Sequence, residues 1–290
     1  MSTAQWGDFA ITALQPAAAD GGHCSLLRVS LPGIAAGVPL VMLPGMFSNR
    51  HFWLSPKGVG LGGYLAREGY EPWLVERRGI GLAASSPGRR GLQEHIAQDL
   101  PQVQRVIQQH NPRPAFWFGH SFGGVMASLA VAGTLDPSLV AGMVLFAAQN
   151  EVDKNGLTPP TSWLMLGLSR LLGRFPARRF GMGPEDESPD AMADACRIVT
   201  EAQARGTMAQ QLAPVRCPVL AFGGGADHVD PPPGCERFLA HMNSVDKTWV
   251  LLAQSQGYSQ DYDHPGIVIA KAAQGEVWPQ ILRWLQQRHR

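Results

Sequence analysis

The chain is poor in cysteine and has none in a metal-binding arrangement. Its four cysteines, Cys24, Cys196, Cys217 and Cys235, lie far apart, with no C-x-x-C pair and no metal-ligand spacing. It also lacks an excess of either charge. The 24 basic and 23 acidic residues leave a formal net charge of +1, which argues against nucleic acid or another polyanion as partner. No basic run with interleaved aromatics is present. Long apolar runs are missing as well. The richest, S-W-L-M-L-G-L-S-R-L-L-G from Ser162 to Gly173, contains Arg170 and reads as an amphipathic helix, not as a stable membrane insertion. The amino terminus, M-S-T-A-Q-W-G-D-F-A, has neither a basic segment nor an apolar segment of secretory type. These absences together give the expectation of a cytoplasmic protein with reduced thiols. Nothing in the sequence sets an oligomeric state.

What the chain does have is core-forming material: 45% of its 290 residues are apolar, enough for one large domain or one domain carrying an insertion. After an irregular start, P-L-V-M-L-P-G (Pro39 to Gly45) is a short continuous apolar run, as expected of a strand buried on both faces. Similar runs follow at Glu71 to Glu76, Ala115 to His120, Leu139 to Ala148, Cys217 to Gly223 and Thr248 to Ala253. Helical patterns fall between them, around Gly63 to Tyr70 and over Leu92 to His110. In the latter, Ile96, Leu100, Val103 and Ile107 share a face and Pro101 imposes a kink. Val277, Ile281, Leu282 and Leu285 form the apolar face of a closing helix. Strands alternating with helices predict an α/β fold with a mostly parallel sheet. The alternation breaks between about residues 150 and 211, which reads as a helical insertion. That divides the chain into a core of 1–149 and 212–290 and an inserted 150–211.

The most informative stretch is A-F-W-F-G-H-S-F-G-G, residues 115–124. A bare G-x-S-x-G is a weak signal, but here a buried strand runs into it and a small-residue helix leaves it. Such a turn strains the serine backbone and lifts the Ser121 hydroxyl above the sheet. Gly119 and Gly123 leave room for neighbouring backbone. A serine needs a positioned base, itself oriented by an acid. Of nine histidines, His264 in D-Y-D-H-P-G follows the last strand, where open α/β sheets keep their sites. His120 is adjacent to Ser121 in sequence and expected to point away. For the acid, Asp227 follows the glycines of G-G-A-D-H-V-D-P-P. Asp230 is its near rival, readable instead as a helix N-cap before Pro231, and Glu151 or Asp153 offers an acid from a neighbouring strand. The backbone N–H groups of Phe122 and of Met46, in L-P-G-M-F, are the candidate oxyanion donors.

Taken together these residues resemble the α/β-hydrolase family. The order Ser121, Asp227, His264 matches the family's nucleophile, acid and histidine. V-E-R-R-G-I-G is similar to its Asp-x-Arg-Gly-x-Gly stretch, and G-G-A-D-H-V-D-P to its acid turn. Pro44 and Glu76 depart from the histidine and aspartate usual there. The resemblance runs from about Pro39 to the end, outside the insertion. It implies a mostly parallel central sheet with helices on both faces, and a helical cap at 150–211 from which Trp163, Met165, Leu166 and Leu168 would either wall an acyl pocket with Met46 or pack the cap against the sheet domain. It also implies a serine hydrolase that cleaves an ester or thioester of an apolar acyl group through an acyl-enzyme, with a small-molecule or lipid-like substrate and no metal or organic cofactor. Acyl transfer, C–C bond hydrolysis or a non-catalytic ligand-binding role on the same scaffold are the alternatives. On this reading Asp227→Asn slows the reaction severely and Asp230→Asn does little.

Overall fold

A nine-stranded sheet organises the computed structural model, which describes residues 2–289. The strands are β1 (Ser2–Trp6), β2 (Phe9–Leu14), β3 (Ser25–Ser30), β4 (Pro39–Leu43), β5 (Glu71–Glu76), β6 (Ala115–His120), β7 (Val140–Phe146), β8 (Val219–Gly224) and β9 (Lys247–Leu252). Their order is β1-β2-β3-β5-β4-β6-β7-β8-β9. Pairing is antiparallel from β1 to β5 and parallel from β5 to β9. The buried runs read from the sequence are therefore β4 to β9. The irregular start is not irregular: residues 2–30 hold three antiparallel strands. The outer two are exposed or only partly buried, because an antiparallel edge needs only one covered face, while the third is largely buried.

Helices α1 (Leu61–Arg67), α2 (Leu92–Glu94), α3 (Leu100–His110) and α4 (Phe122–Gly133) fill the first crossovers. A π turn at His95–Asp99 joins α2 to α3. It falls just before Pro101, whose missing N–H and ring are met by a widened turn, not by a break. Between β7 and β8 lie α5 (Thr161–Leu172), α6 (Pro189–Arg205) and α7 (Thr207–Leu212), and α8 (Pro232–Ala240) follows β8. The chain closes with α9 (Gly266–Ile269), α10 (Lys271–Glu276) and α11 (Trp278–Gln286).

Two apolar layers flank the sheet. Alternation along β6 shows how: Trp117 enters the layer with Val125, Met126, Leu100 and Val103, while Phe116 and Phe118 enter the layer with Phe146, Phe222, Trp278 and Ile281. All six β6 residues are buried. At about 1.5–3 kcal/mol for each fully buried large apolar side chain, this strand is a firmly held platform for a site at its carboxyl end. Among the described residues no helix is long and apolar enough to cross a membrane.

Candidate active site

Ser121, Asp227 and His264 all follow carboxyl ends of parallel strands, after β6, β8 and β9. Ser121 caps α4 with φ 52° and ψ −129°, a left-handed conformation costly for a residue with a Cβ. The turn is over-determined. The Ser121 N–H donates to the Phe146 carbonyl at 2.9 Å, and the Ser121 carbonyl accepts from Gly124 and Val125. A Cβ on Gly119 would strike the backbone of Gly124, and one on Gly123 would meet the Leu43 and Pro44 carbonyls at 2.5 Å. The glycines thus let the elbow close and let the L-P-G loop lie against it.

Asp227 and His264 are coupled as the sequence order implies. The His264 Nδ1–H donates to Asp227 Oδ2 at 2.8 Å. The other oxygen, Asp227 Oδ1, accepts the N–H groups of Val229 and Asp230, each at 2.8 Å. Since a carboxylate only accepts, Nδ1 carries the proton and Nε2 presents its lone pair. His120 packs beside this pair, with its ring centroid 4.5 Å from that of His264. Its Nε2–H donates to the His264 carbonyl at 3.0 Å. Burial, reinforced by the nearby His264 and Lys154, holds the His120 pKa well below the ordinary histidine value. His120 is a neutral brace for the loop that carries His264.

The sequence left Asp230 as the near rival for the acid or as a helix N-cap. Pro231, not Asp230, occupies the N-cap position of α8. The Asp230 side chain is fully buried, and its Oδ2 accepts the Ser121 hydroxyl at 3.0 Å. The same oxygen lies 3.9 Å from His264 Nε2. On the far side, Oδ1 accepts Gln149 Nε2 at 2.8 Å and forms an ion pair with Lys154, which is only 7% exposed. The Lys154 ammonium also donates to the Val229 carbonyl at 3.3 Å and sits over the Phe122 ring. Ser121 thus hydrogen-bonds to the Asp230–Lys154 couple, whose Oδ2 also approaches the His264–Asp227 couple. The signal for the Asp230–Lys154 couple was the pair of aspartates three residues apart. Nothing in the sequence marked Lys154.

The segment after Gly45 is tied to the helices between β7 and β8. Phe47, with φ 63°, donates its N–H to Glu187 Oε1 at 2.9 Å, and its carbonyl accepts from Glu185 at 3.0 Å. Glu187 is also paired with Arg77, both buried. Asn49 Nδ2 donates to Glu185 Oε1 at 2.6 Å. Met46 packs with Met165, Leu166 and Phe47 around Phe175, Ala177 and Met192. Trp163 does not join this cluster and is 67% exposed. Glu76, the residue noted as a departure, accepts Arg50 Nη1 at 2.6 Å and the Leu82 N–H at 2.9 Å, so it anchors a turn below the site.

A strained serine on a β6–α4 elbow, beside a histidine and its carboxylate at the ends of neighbouring parallel strands, defines an α/β-hydrolase enzyme. A family model described as serine aminopeptidase, S33, matches residues 55–204, just over half of the chain. The chain belongs to this family of α/β hydrolases. The match includes Ser121 and ends before Asp227 and His264. Among solved structures, an esterase of Pyrococcus furiosus superimposes with a TM-score of 0.66 at 14% identity, over 97% of this chain and 92% of that one. A monoacylglycerol lipase of Paleococcus ferrophilus gives 0.60 at 20% identity, over 86% and 94% of the two chains. A putative non-heme bromoperoxidase of Mycobacterium tuberculosis gives 0.61 at 18%, over 87% and 92%. At these identities the likeness is one of fold. No curated protein matches the sequence.

Proposed function

We propose that the protein is a serine hydrolase that cleaves a carboxylic ester or thioester of a small-molecule or lipid-like substrate through an acyl-enzyme. The observation that carries this reading is the 2.8 Å contact between His264 Nδ1 and Asp227, which leaves Nε2 as a base on the same side of the sheet as the strained Ser121. In acylation, Ser121 Oγ turns from Asp230 to Nε2, gives up its proton there and bonds to the acyl carbon. The oxyanion develops between the N–H groups of Phe122 and Met46. Collapse breaks the bond to the leaving atom, which takes the proton from Nε2. Water then repeats the sequence in the second half-reaction, giving its proton to Nε2 and its oxygen to the acyl group, and Ser121 is regenerated.

Residues 150–211 act in this reading as a cap on the core of 1–149 and 212–290. Its inner apolar residues, Met165 and Leu166, cluster with Met46 and would wall the acyl pocket. Trp163, with its high exposure, would contribute only by turning inward when substrate is bound. No step needs a metal or organic cofactor. The four free cysteines, three of them buried, suit the reducing cytoplasm.

The test is labelling of the purified protein with a fluorophosphonate, followed by mass spectrometry. A single adduct on Ser121, absent in Ser121→Ala, is expected, with turnover of p-nitrophenyl esters or acyl thioesters lost in the same variant. A folded protein that takes no label would overturn the reading.

A further inference from the structure

The reading above uses Asp227 and His264 but leaves unexplained a second buried carboxylate on the Ser121 hydroxyl. Asp230 is positioned from every side. Its Oδ1 is held by Lys154 and by Gln149 Nε2. Gln149 cannot flip, because its Oε1 accepts the Glu151 and Val152 N–H groups, each at 2.8 Å. The Asp230 N–H is fixed to Asp227 Oδ1. Oδ2 faces the reacting groups, and among the described residues its donor is the Ser121 hydroxyl at 3.0 Å.

That donor is lost in the reaction. Once Oγ is bonded to the acyl carbon, Oδ2 has lost that donor, and when Nε2 has passed its proton on, Oδ2 is a buried carboxylate oxygen with no donor among the described residues. Leaving such an acceptor unpaired is costly, and a hydrogen bond to a charged group is among the stronger ones. The atom that replaces Ser121 must lie near Nε2, since Oδ2 is 3.9 Å from it. The leaving group occupies that place during acylation, because its departing atom must come within hydrogen-bond reach of Nε2.

We infer that Asp230 is a specificity-determining residue whose Oδ2 accepts a hydrogen bond from the leaving group, selecting substrates whose leaving group carries a donor hydrogen next to the scissile bond. This rests on the serine-hydrolase reading and names its substrate class. A vicinal hydroxyl, as in a monoester of a diol or glycerol, supplies such a donor, and so does the N–H of an amide. A plain alkyl ester does not. In deacylation the same oxygen accepts the second hydrogen of the attacking water, while the first goes to Nε2. A site built to bond a substrate O–H or N–H rejects the analogue lacking it far more strongly than an apolar pocket rejects a change of one methylene.

The experiment compares kcat/KM for glyceryl monobutyrate, ethyl butyrate and N-ethylbutyramide, which share one acyl group, with fluorophosphonate labelling measured in parallel. The wild-type protein is expected to favour glyceryl monobutyrate over ethyl butyrate on the order of 10- to 100-fold, the span of one hydrogen bond to a charged group. In Asp230→Asn, Gln149 holds the new carbonyl oxygen and turns the new amide NH2 toward Ser121, replacing an acceptor with a donor. The preference is then expected to fall to about threefold or less. Asp230→Asn combined with Lys154→Met repeats the test without an unpaired buried ammonium, should the single variant fail to fold. A preference for the amide over ethyl butyrate, lost in the same variants, would identify N–H as the donor instead of O–H. A wild-type protein with no preference among the three, or a preference that survives in the variants, would overturn the inference. Absence of labelling in the wild type would instead overturn the serine-hydrolase reading itself.

Discussion

At the scale of single residues, the site is an arrangement of hydrogen-bond directions. Asp227 spends one carboxylate oxygen on two backbone N–H groups and the other on His264. An amide in its place would have to present NH2 to one of those partners, both donors, and would favour the histidine tautomer with Nε2 protonated. Asp227→Asn is therefore expected to lower kcat by about ten-thousand-fold, as loss of the correct tautomer does in other triads, while leaving the circular dichroism spectrum unchanged. Steady-state rates on a p-nitrophenyl ester check this, and a loss below tenfold would move the orienting role elsewhere. The strained turn at Ser121 and the meeting of Asp227 with His264 were legible because each sits in a short motif at a strand end. Asp230 was only half legible: the sequence shows a second carboxylate three residues on, but the direction it takes follows from the turn that binds its own N–H to Asp227. Lys154 was not legible at all, since its partner lies far along the chain and a lone lysine in a loop carries no mark of burial.

At the scale of elements, the continuous apolar runs announced the parallel strands, because a strand covered on both faces has no polar positions to spare. The first two strands were missed for the converse reason, and the third, though largely buried, is broken by Arg28. Ser2–Trp6 is an exposed edge, and Phe9–Leu14 is buried only in alternation. Pro101 was expected to kink its helix; what precedes it is a π turn over His95–Asp99. The segment between β7 and β8 was read as an insertion, and its hold on the loop after Gly45 was not foreseeable. Glu187 bridges the Phe47 N–H and the buried Arg77, contacts that join three distant parts of the chain. Glu187→Ala leaves Arg77 as an unpaired buried charge. The expected cost is about 3–5 kcal/mol of stability, measured by urea unfolding. A larger fractional loss of kcat than of fluorophosphonate labelling is expected too, because the loop that carries Met46 loses its tether.

At the scale of the whole molecule, buried histidines make stability depend on pH. Burial lowers the pKa of both His95 and His120. For His95 this outweighs the opposing hydrogen bond to Asp99; for His120 it is aided by the neighbouring His264 and Lys154. Both stay neutral in the folded protein as pH falls below about 6.5, where the unfolded chain takes up protons on the same side chains. The unfolded state then binds more protons, so stability rises with pH across that window and falls as the solution is acidified. The expected slope is at most about 1.4 kcal/mol per histidine per pH unit below 6.5. Urea midpoints at pH 7.5 and pH 5.5 test this, and equal midpoints would refute it. Asp99 works in the same direction at lower pH. Although burial opposes it, bonds from His95 and Arg78 hold its carboxyl below the usual range, so its contribution persists above the ordinary carboxylate pKa and disappears only in stronger acid. The Phe47–Glu187–Arg77 bridge also constrains heredity. A recombination event that exchanged residues 150–211 for those of a relative would import a stranger to the Phe47 turn and strand Arg77. Chimeras viable in this lineage should therefore carry the 47–50 and 76–78 stretches from the same parent as the segment they grip, so that three tracts scattered along the gene are inherited as one.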